Sequence, residues 1–154
     1  MKIEMLTKVG FAPFGDVVEM GGAKHYPINQ GFAERFNDLA LVDAEAINIS
    51  IVVANPRPKP IAIMLMERHP LGSQIFYPLQ DRPWLVVVCG DPKDRASFRA
   101  FSATGQQGIN YTRNVWHHPL LVLEAESRFL VVDRKGPGAN LEEIQINEIR
   151  LDLP

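Results

Sequence analysis

Short apolar runs between closely spaced turn residues constrain the fold of this chain more than any other feature. The 154 residues include 12 prolines and 11 glycines, which interrupt the sequence at short intervals. Between them lie runs rich in valine, isoleucine, leucine and phenylalanine, which are typical of β-strands. This spacing predicts an all-β sandwich or barrel with little helix. A closed barrel or jelly roll of short antiparallel strands would also remove the exposed sheet edges that so many strands create.

We place the individual strands from apolar alternation and from the turn residues that bound each run. The predicted strands cover residues 16–20, 47–54, 61–69, 74–79, 84–90, 98–103, 115–118, 120–126 and 129–133. A single helical turn with Thr7 as its N-cap precedes them. Residues 25–41 form an ambiguous excursion, and the tail 141–153 fits either a pair of strands or a short helix.

Composition and charge indicate a small globular protein of one domain, residues 1–154. The net charge of -2 gives no sign of a nucleic-acid partner or an anionic membrane. No apolar run approaches the ~20 residues of a membrane span, and the first residues lack the apolar core of a signal peptide. The cytoplasm is therefore the expected location. The lone cysteine, Cys89, lies in an apolar strand and is interpreted as a small buried hydrophobe.

The segment Glu67–Gln74, E-R-H-P-L-G-S-Q, concentrates polar chemistry at a predicted hairpin. By alternation, one face of its first strand carries Ile61, Ile63, Leu65, Glu67 and His69. The turn Pro70–Gly72 then leads to Gln74 on the return strand. We expect Glu67, His69 and Gln74 to meet at one barrel mouth, because inward-facing polar groups are costly unless they are paired or bind a ligand. The alternative is a solvated hairpin end.

A second polar segment, Asn110–Pro119 (N-Y-T-R-N-V-W-H-H-P), is the predicted partner of the hairpin across the fold. His117 and His118 point to opposite faces of a strand, and alternation does not decide which faces inward. Tyr111 and Arg113 share the parity of His117, and an inward Arg113 would bind a carboxylate with two hydrogen bonds. Alternatively, Trp116 anchors the core and the histidines lie at a strand end or subunit surface.

A third candidate, Asp133, ends the strand F-L-V-V-D-R, where it either orients a histidine or pairs with an arginine. The sequence contains no phosphate loop, no dinucleotide-binding glycine pattern, no G-x-S-x-G elbow and no C-x-x-C. Nucleotide chemistry and nucleophilic catalysis are therefore disfavoured. Acid–base or metal-assisted chemistry on a small polar molecule remains.

These segments resemble the ureidoglycolate lyase family of bacterial allantoin catabolism. The resemblance rests on Glu67–Gln74, on Gly108–Leu120 (G-I-N-Y-T-R-N-V-W-H-H-P-L) and on Phe129–Arg134, within a similarity from about Phe11 to Arg134. It implies a cupin-like β-barrel, a homodimer and the cleavage of (S)-ureidoglycolate into glyoxylate and urea. Two other functions stay open: a ureidoglycolate amidohydrolase that releases ammonia, and a non-catalytic cupin that binds a small carboxylate.

The resemblance also supplies candidate roles for the polar residues. Metal-binding cupins carry H-x-H followed by E, where this sequence has Glu67, His69 and Gln74, and a later histidine is matched by His117. These four are the candidate ligands of a divalent metal, nickel by resemblance. The candidate catalytic residues are Glu67, His69, His117 and Arg113, and the candidate substrate-binding residues are Arg68, Gln74, Tyr111, His118 and Asp133. We expect His69 or His117 to act as base, and Glu67 as acid if burial raises its pKa.

Overall fold

The computed structural model describes residues 1–153, which form β-strands with very little helix. The helix α1 (Lys8–Phe11) begins after Thr7, whose hydroxyl accepts a hydrogen bond from the Gly10 N–H, as predicted for the N-cap. The strands are β1 (Ile3–Met5), β2 (Gly15–Val18), β3 (Lys24–Ile28), β4 (Ala33–Asn37), β5 (Ile47–Ala54), β6 (Ala62–Arg68), β7 (Gln74–Pro78), β8 (Trp84–Cys89), β9 (Phe98–Ala103), β10 (Gly108–Tyr111), β11 (Trp116–His117), β12 (Leu121–Val122), β13 (Ser127–Arg134) and β14 (Glu142–Arg150).

Two large sheets and one separate hairpin organise these strands. The first sheet has the order β1-β9-β8-β11-β6-β14, with β12 beside β8, and the second has the order β2-β10-β7-β13-β5. Strands β3 and β4 pair with each other as a hairpin. The pairs are antiparallel apart from the parallel pair β1–β9. This architecture confirms the predicted all-β fold of short, mostly antiparallel strands.

The central strand β8 separates two apolar clusters. Trp84, Val86 and Val88 belong to a cluster that also contains Phe101 from the first sheet and Phe129 from the second. This interior cluster therefore lies between the sheets. Alternate β8 residues, among them Cys89, belong instead to an outer cluster on the opposite face of the first sheet. Burial raises the pKa of the Cys89 thiol to about 12, in agreement with its interpretation as a buried hydrophobe.

Strand β6 contradicts part of the predicted alternation. Ile61 and Ile63 pack in the outer cluster together with Met66, not on a common face with Glu67. The register of β6 against β14 shifts between Gln145 and Ile149. Four residue steps of β14 face two of β6 there, so the extra residues lie in β14, and the pair is twisted locally where the alternation of β6 changes. The face occupied by Ile61 and Ile63 therefore does not predict the face occupied by Glu67.

Other segments also differ from the sequence prediction. The tail forms the single long strand β14 on the edge of the first sheet, rather than two strands or a helix. The predicted strand 120–126 is shorter in the structure, where only β12 (Leu121–Val122) is a strand. Strand β10 (Gly108–Tyr111) was not predicted, and it ends inside the polar segment Asn110–Pro119. Residues 25–41 contain the β3–β4 hairpin, whose tip residue Phe32 is 90% exposed. Among the described residues, no helix is long and apolar enough to span a membrane.

Candidate active site

Glu67, His69 and His117 form one cluster at the end of the interior core. A carboxylate oxygen of Glu67 and one ring nitrogen of each histidine lie within 4.8 Å of one another. Glu67 and His117 are cross-strand neighbours on β6 and β11, and His117 also pairs with Val88 of the interior cluster. Because directly opposite side chains lie on the same face of a sheet, Glu67 and His117 both face inward. The structure therefore brings together the hairpin and the second polar segment.

Main-chain carbonyl groups fix the orientation of both imidazole rings. The Nδ1 atom of His117 lies 2.9 Å from the Val115 carbonyl oxygen, and the Nδ1 atom of His69 lies 2.6 Å from the Asn140 carbonyl oxygen. A carbonyl oxygen only accepts hydrogen bonds, so each Nδ1 carries the hydrogen and donates it. In the neutral rings both Nε2 atoms then keep a lone pair. Both Nε2 atoms are buried without a hydrogen-bond partner.

The electrostatic environment keeps Glu67 ionised. Burial alone would raise the pKa of its carboxyl group, but the contact with His117 and the charges of His117, His69 and His118 outweigh burial and lower it. The nearest His117 nitrogen, Nε2, lies 3.4 Å from Glu67 Oε1. The lowered pKa is opposite to the raised pKa that a general acid would need. Glu67 is therefore suited to act as a carboxylate ligand or counter-charge.

The cluster is chemically suited to a divalent metal. Two imidazole nitrogens and a carboxylate oxygen form a donor set that binds zinc, iron or nickel. The two unpartnered Nε2 atoms are costly to bury and would be satisfied by a bound ion. Gln74, the fourth predicted ligand, also buries an unpartnered atom, its Oε1.

A row of polar side chains crosses the second sheet on the same face as Tyr111, whose ring stacks on His117. In the cross-strand register Tyr111 pairs with Gln74, Gln74 with Asp133, and Asp133 with Asn48. Tyr111 belongs to the interior cluster, so its cross-strand neighbours point to the same side. Asp133 accepts a hydrogen bond from Asn48 Nδ2 at 3.2 Å, which differs from the histidine or arginine partner we expected. Asp133 shares its face of β13 with Phe129 and Val131 of the interior cluster, and its neighbour there is an amide from β5.

The two candidate arginines are engaged outside the cluster. Arg113 binds Asp43 with Nε and Nη2 at 2.9 and 2.8 Å, at the rim of a cleft of about 630 Å³ that also includes Leu71. Arg68 donates to Glu142 from Nε at 2.7 Å, and its guanidinium lies 4.6 Å from the centre of the Trp116 ring. The structure thus places Arg113 near the hairpin turn and turns Arg68 toward β14.

His118 does not belong to the three-residue cluster. It is buried, its main-chain N–H donates to Val87, and its Nδ1 lies 2.6 Å from the Pro119 carbonyl oxygen. Burial lowers the pKa of the His118 imidazole to about 4, against the weaker raising effect of the Pro119 carbonyl. His118 is therefore neutral near pH 7, and His117 is the histidine that completes the cluster.

Sequence reasoning missed several residues that build the site. Val115 and Asn140 act through main-chain carbonyl groups, which every residue carries and no side-chain pattern reveals. Asp43 lies in a segment without regular structure and reaches Arg113 only in the folded chain. Asn48 reaches Asp133 only because β5 pairs with β13, a pairing between residues 85 positions apart that no local pattern reveals.

The family model and the curated relatives that match this chain carry the same description. The family model described as ureidoglycolate lyase matches residues 1–152. Ureidoglycolate lyase 1 of Rhizobium meliloti is 52% identical over 153 residues, covering 96% of this chain and 90% of the relative. The ureidoglycolate lyase of Brucella ovis is 53% identical over 148 residues, covering 93% and 88%. That of Burkholderia cepacia is 49% identical over 152 residues, covering 95% and 86%.

Solved structures give a weaker likeness. An oxalate decarboxylase of Bacillus subtilis, described with Mn(II) centres, has a TM-score of 0.46 and 14% identity, and the match covers 84% of this chain and 29% of that one. The formate complex of Lactobacillus farciminis oxalate decarboxylase has a TM-score of 0.44 and 20% identity, covering 85% and 33%. This chain thus spans a third or less of their length, and scores this low say nothing about its chemistry.

Proposed function

We propose that this chain, which belongs to the ureidoglycolate lyase family, cleaves (S)-ureidoglycolate into glyoxylate and urea in allantoin catabolism. The observation that carries the proposal is the cluster of Glu67, His69 and His117, in which two buried imidazole nitrogens have lone pairs and no partner. Family membership supplies the substrate, and the cluster supplies groups that can move or hold a proton.

The reaction breaks one carbon–nitrogen bond and moves one proton. The substrate carbon carries a hydroxyl group, a carboxylate and the nitrogen of a ureido group. Loss of the hydroxyl proton lets that oxygen form the aldehyde carbonyl of glyoxylate, while the bond to nitrogen breaks. The departing nitrogen gains a proton and leaves as urea, so atoms and charge balance without an oxidant or a water molecule.

Without a metal, the imidazole Nε2 of His69 or His117 accepts the hydroxyl proton and returns it to the ureido nitrogen. Either nitrogen qualifies, because its Nδ1–H is already bound to a carbonyl oxygen. The ionised Glu67 carboxylate stabilises the imidazolium that forms between the two proton transfers. We therefore propose that Glu67 acts as a counter-charge and not as the general acid that we expected from the sequence.

With a divalent metal bound, Glu67, His69 and His117 would hold the ion together with Gln74. Nickel is the metal implied by the family resemblance. When bound, such an ion would polarise the substrate hydroxyl group and lower its pKa. In that case the four residues hold the ion and do not accept the proton. Sensitivity of the activity to a chelator therefore separates the two forms of the proposal.

The remaining site residues are proposed to bind or surround the substrate. Arg113 already holds the carboxylate of Asp43 with two hydrogen bonds, which supports its proposed role as a clamp for the substrate carboxylate. Gln74 and Asp133 offer acceptor oxygens to the ureido N–H groups. The other candidates, Arg68, Tyr111 and His118, are held by neighbouring protein groups, and we propose that they shape the site.

Product analysis tests this function. Purified protein is incubated with racemic ureidoglycolate, and urea, glyoxylate and ammonia are assayed separately, before and after chelator treatment and nickel add-back. Equal amounts of urea and glyoxylate, at half of the racemate, are the expected result. Ammonia in place of urea would move the activity to an amidohydrolase. No product from folded protein, with thermal stabilisation by a small carboxylate, would leave a binding protein.

We also propose that residues 1–154 are one domain that forms a homodimer and works in the cytoplasm. The dimer is supported by β5, an edge strand whose outer face exposes Ile47, Ile49, Ile51 and Val53. Edge strands without charged residues tend to pair with another chain. Sedimentation velocity tests the dimer: Ile49→Lys should yield monomers, whereas Met5→Lys, an exposed apolar residue on β1, should not.

A further inference from the structure

The loop between β13 and β14 reaches back to the hairpin that carries His69. Asn140, half-buried at the end of this loop, makes two contacts with the hairpin. Its main-chain carbonyl oxygen lies 2.6 Å from His69 Nδ1, and its side-chain Oδ1 accepts a hydrogen bond from the Leu71 N–H at 2.8 Å. One residue therefore binds both sides of Pro70 at the hairpin turn.

The rest of this loop is fastened less firmly than Asn140. Residues 135–139 are exposed and form no regular structure. Arg134 Nη2 donates to the Pro137 carbonyl at 2.7 Å, and a Cβ placed on Gly138 would lie 3.0 Å from Leu71 Cδ1. Gly138 has a φ of +93°, a conformation that favours glycine. The loop thus follows the turn closely, but the Asn140 side chain supplies the direct hydrogen bond to it.

The two histidines of the cluster depend on partners at very different separations. The Nδ1 partner of His117 is Val115, two residues earlier, whereas the Nδ1 partner of His69 is 71 positions later in the chain. The orientation of His117 is consequently a local property of its own segment. The orientation of His69 requires the chain after β13 to be docked in place.

We propose that Asn140 is a positioning residue that holds His69 in the tautomer with hydrogen on Nδ1. Its side chain anchors residue 140 to Leu71, so that its own carbonyl faces the imidazole. Without this anchor the exposed loop moves, the contact with Nδ1 lengthens, and hydrogen on Nε2 becomes competitive. Nitrogen Nε2 bearing hydrogen neither accepts a proton nor binds a metal. The kinetic consequence rests on the proposed function, whereas the tautomer does not.

Nitrogen NMR of metal-free protein labelled in its imidazole nitrogens tests the tautomer directly. The chain has four histidines, and the spectrum of His69→Ala identifies the signals of His69. Spectra are recorded at a pH where the rings are neutral. Asn140→Ala should move the His69 signals toward the Nε2–H tautomer. Asn140→Asp, which keeps an acceptor oxygen at the same place, and Asn147→Ala, a change at an exposed residue of β14, should leave them unchanged.

Steady-state kinetics of the same variants measure the consequence for turnover. Loss of a group that orients a reactive histidine typically costs ~10–100-fold. Asn140→Ala should therefore lower kcat about tenfold or more with KM within about twofold, and Asn140→Asp should recover most of the loss. If Asn140→Ala does not fold, Asn140→Ser takes its place, because the serine side chain is one atom shorter than that of asparagine and its hydroxyl group does not reach the Leu71 N–H.

An unchanged Nδ1–H tautomer of His69 in a folded Asn140→Ala protein would overturn the proposal. So would an equal loss of kcat in Asn140→Ala and Asn140→Asp, since only the alanine variant lacks the acceptor. If the unmodified protein has no lyase activity, the proposed function fails, and the NMR result still decides the role of Asn140.

Discussion

The phenol ring of Tyr111 lies against the imidazole ring of His117, with ring centroids 4.0 Å apart and planes 15° from parallel. This stack and the Val115 carbonyl together fix the His117 ring. Tyr111 is buried, and burial, with a smaller contribution from the Glu67 charge, raises the pKa of its phenol well above the usual range. The hydroxyl group therefore stays protonated, and the ring face is the part of Tyr111 that meets His117.

The first prediction separates the ring of Tyr111 from its hydroxyl group. Tyr111→Phe keeps the stacked ring, so kcat/KM should stay within about threefold of the unmodified protein. Tyr111→Leu removes the ring and leaves His117 free to turn, so kcat should fall about tenfold or more. Urea release measures both. A large loss in Tyr111→Phe, with the fold intact by circular dichroism, would restore the hydroxyl group as a substrate ligand.

The second prediction concerns His69. Each acid–base group typically contributes ~10²–10⁴-fold to rate, so His69→Ala should lose at least about a hundredfold in kcat while the protein stays folded. His25→Ala is the matched control, because His25 is exposed on the β3–β4 hairpin and pairs with Glu34 there. Its turnover should not change. A loss smaller than about a hundredfold in the folded variant would exclude His69 from the catalytic role.

A third prediction follows from the buried amide of Gln74. Its Oε1 has no hydrogen-bond partner, and an unsatisfied buried polar group costs ~1–3 kcal/mol. Gln74→Met should therefore raise the free energy of unfolding by about 1 kcal/mol while kcat/KM falls about tenfold. Urea denaturation and product assays measure the two effects. Gln145→Met, at an exposed position of β14, should change neither; a destabilised but fully active Gln74→Met protein would contradict the role of Gln74.

The fourth prediction tests Arg113 as the carboxylate clamp. Lysine cannot form the two parallel hydrogen bonds that arginine forms, so Arg113→Lys should raise KM about tenfold with little change in kcat. Asp43→Asn removes the carboxylate that now occupies Arg113, so its KM should fall or stay equal. If both variants keep the original KM, the pair only anchors the segment around Asp43.

The fifth prediction concerns pH and His118. The pKa of its imidazole is about 4 in the folded protein, below the ordinary value of 6.5, because the ring is buried. Between these two values the unfolded chain binds more protons, so stability is complete above pH 6.5 and is lost as pH falls toward 4. From near pH 7.5 to near pH 5 this group should account for a loss of about 2 kcal/mol.

Urea denaturation at the two pH values measures that loss. His118→Gln removes the titrating group, so its stability should fall by about 2 kcal/mol less than that of the unmodified protein over the same interval. An equal loss of unfolding free energy in both proteins would show that the pKa of His118 is the same in the folded and unfolded states.

Much of the fold was predictable because each signal is local. The short apolar runs yielded most strands of the two sheets, and Thr7 capped the helical turn as expected. Burial of β8 on both faces followed from its uninterrupted apolar sequence. The structure of the tail 141–153 could not be predicted, because its isolated isoleucines are compatible with either a strand pair or a helix. The long pairing of β14 with β6 makes it a single strand.

The site was predictable only in its residue types. Glu67, His69 and His117 stood out because ionisable groups beside apolar strands are rare unless they are used, and the structure does bring these three together. The choice between His117 and His118 needed the pairing of His117 with Glu67 across β11 and β6. The pKa of Glu67 likewise depended on histidines that are distant in sequence, and it shifted in the direction opposite to the one expected.

The sequence by itself determined the class of fold, the two polar segments and the family, because strand periodicity, turn residues and rare motifs are written along the chain. Only the tertiary structure decided which imidazole nitrogens are free, which arginines are already engaged and how Asn140 reaches His69. The physical reason is that these properties depend on main-chain carbonyl groups and on charges brought within a few ångströms by strand pairing. The separation of two residues along the sequence does not show which carbonyl group or which charge will lie beside a given side chain.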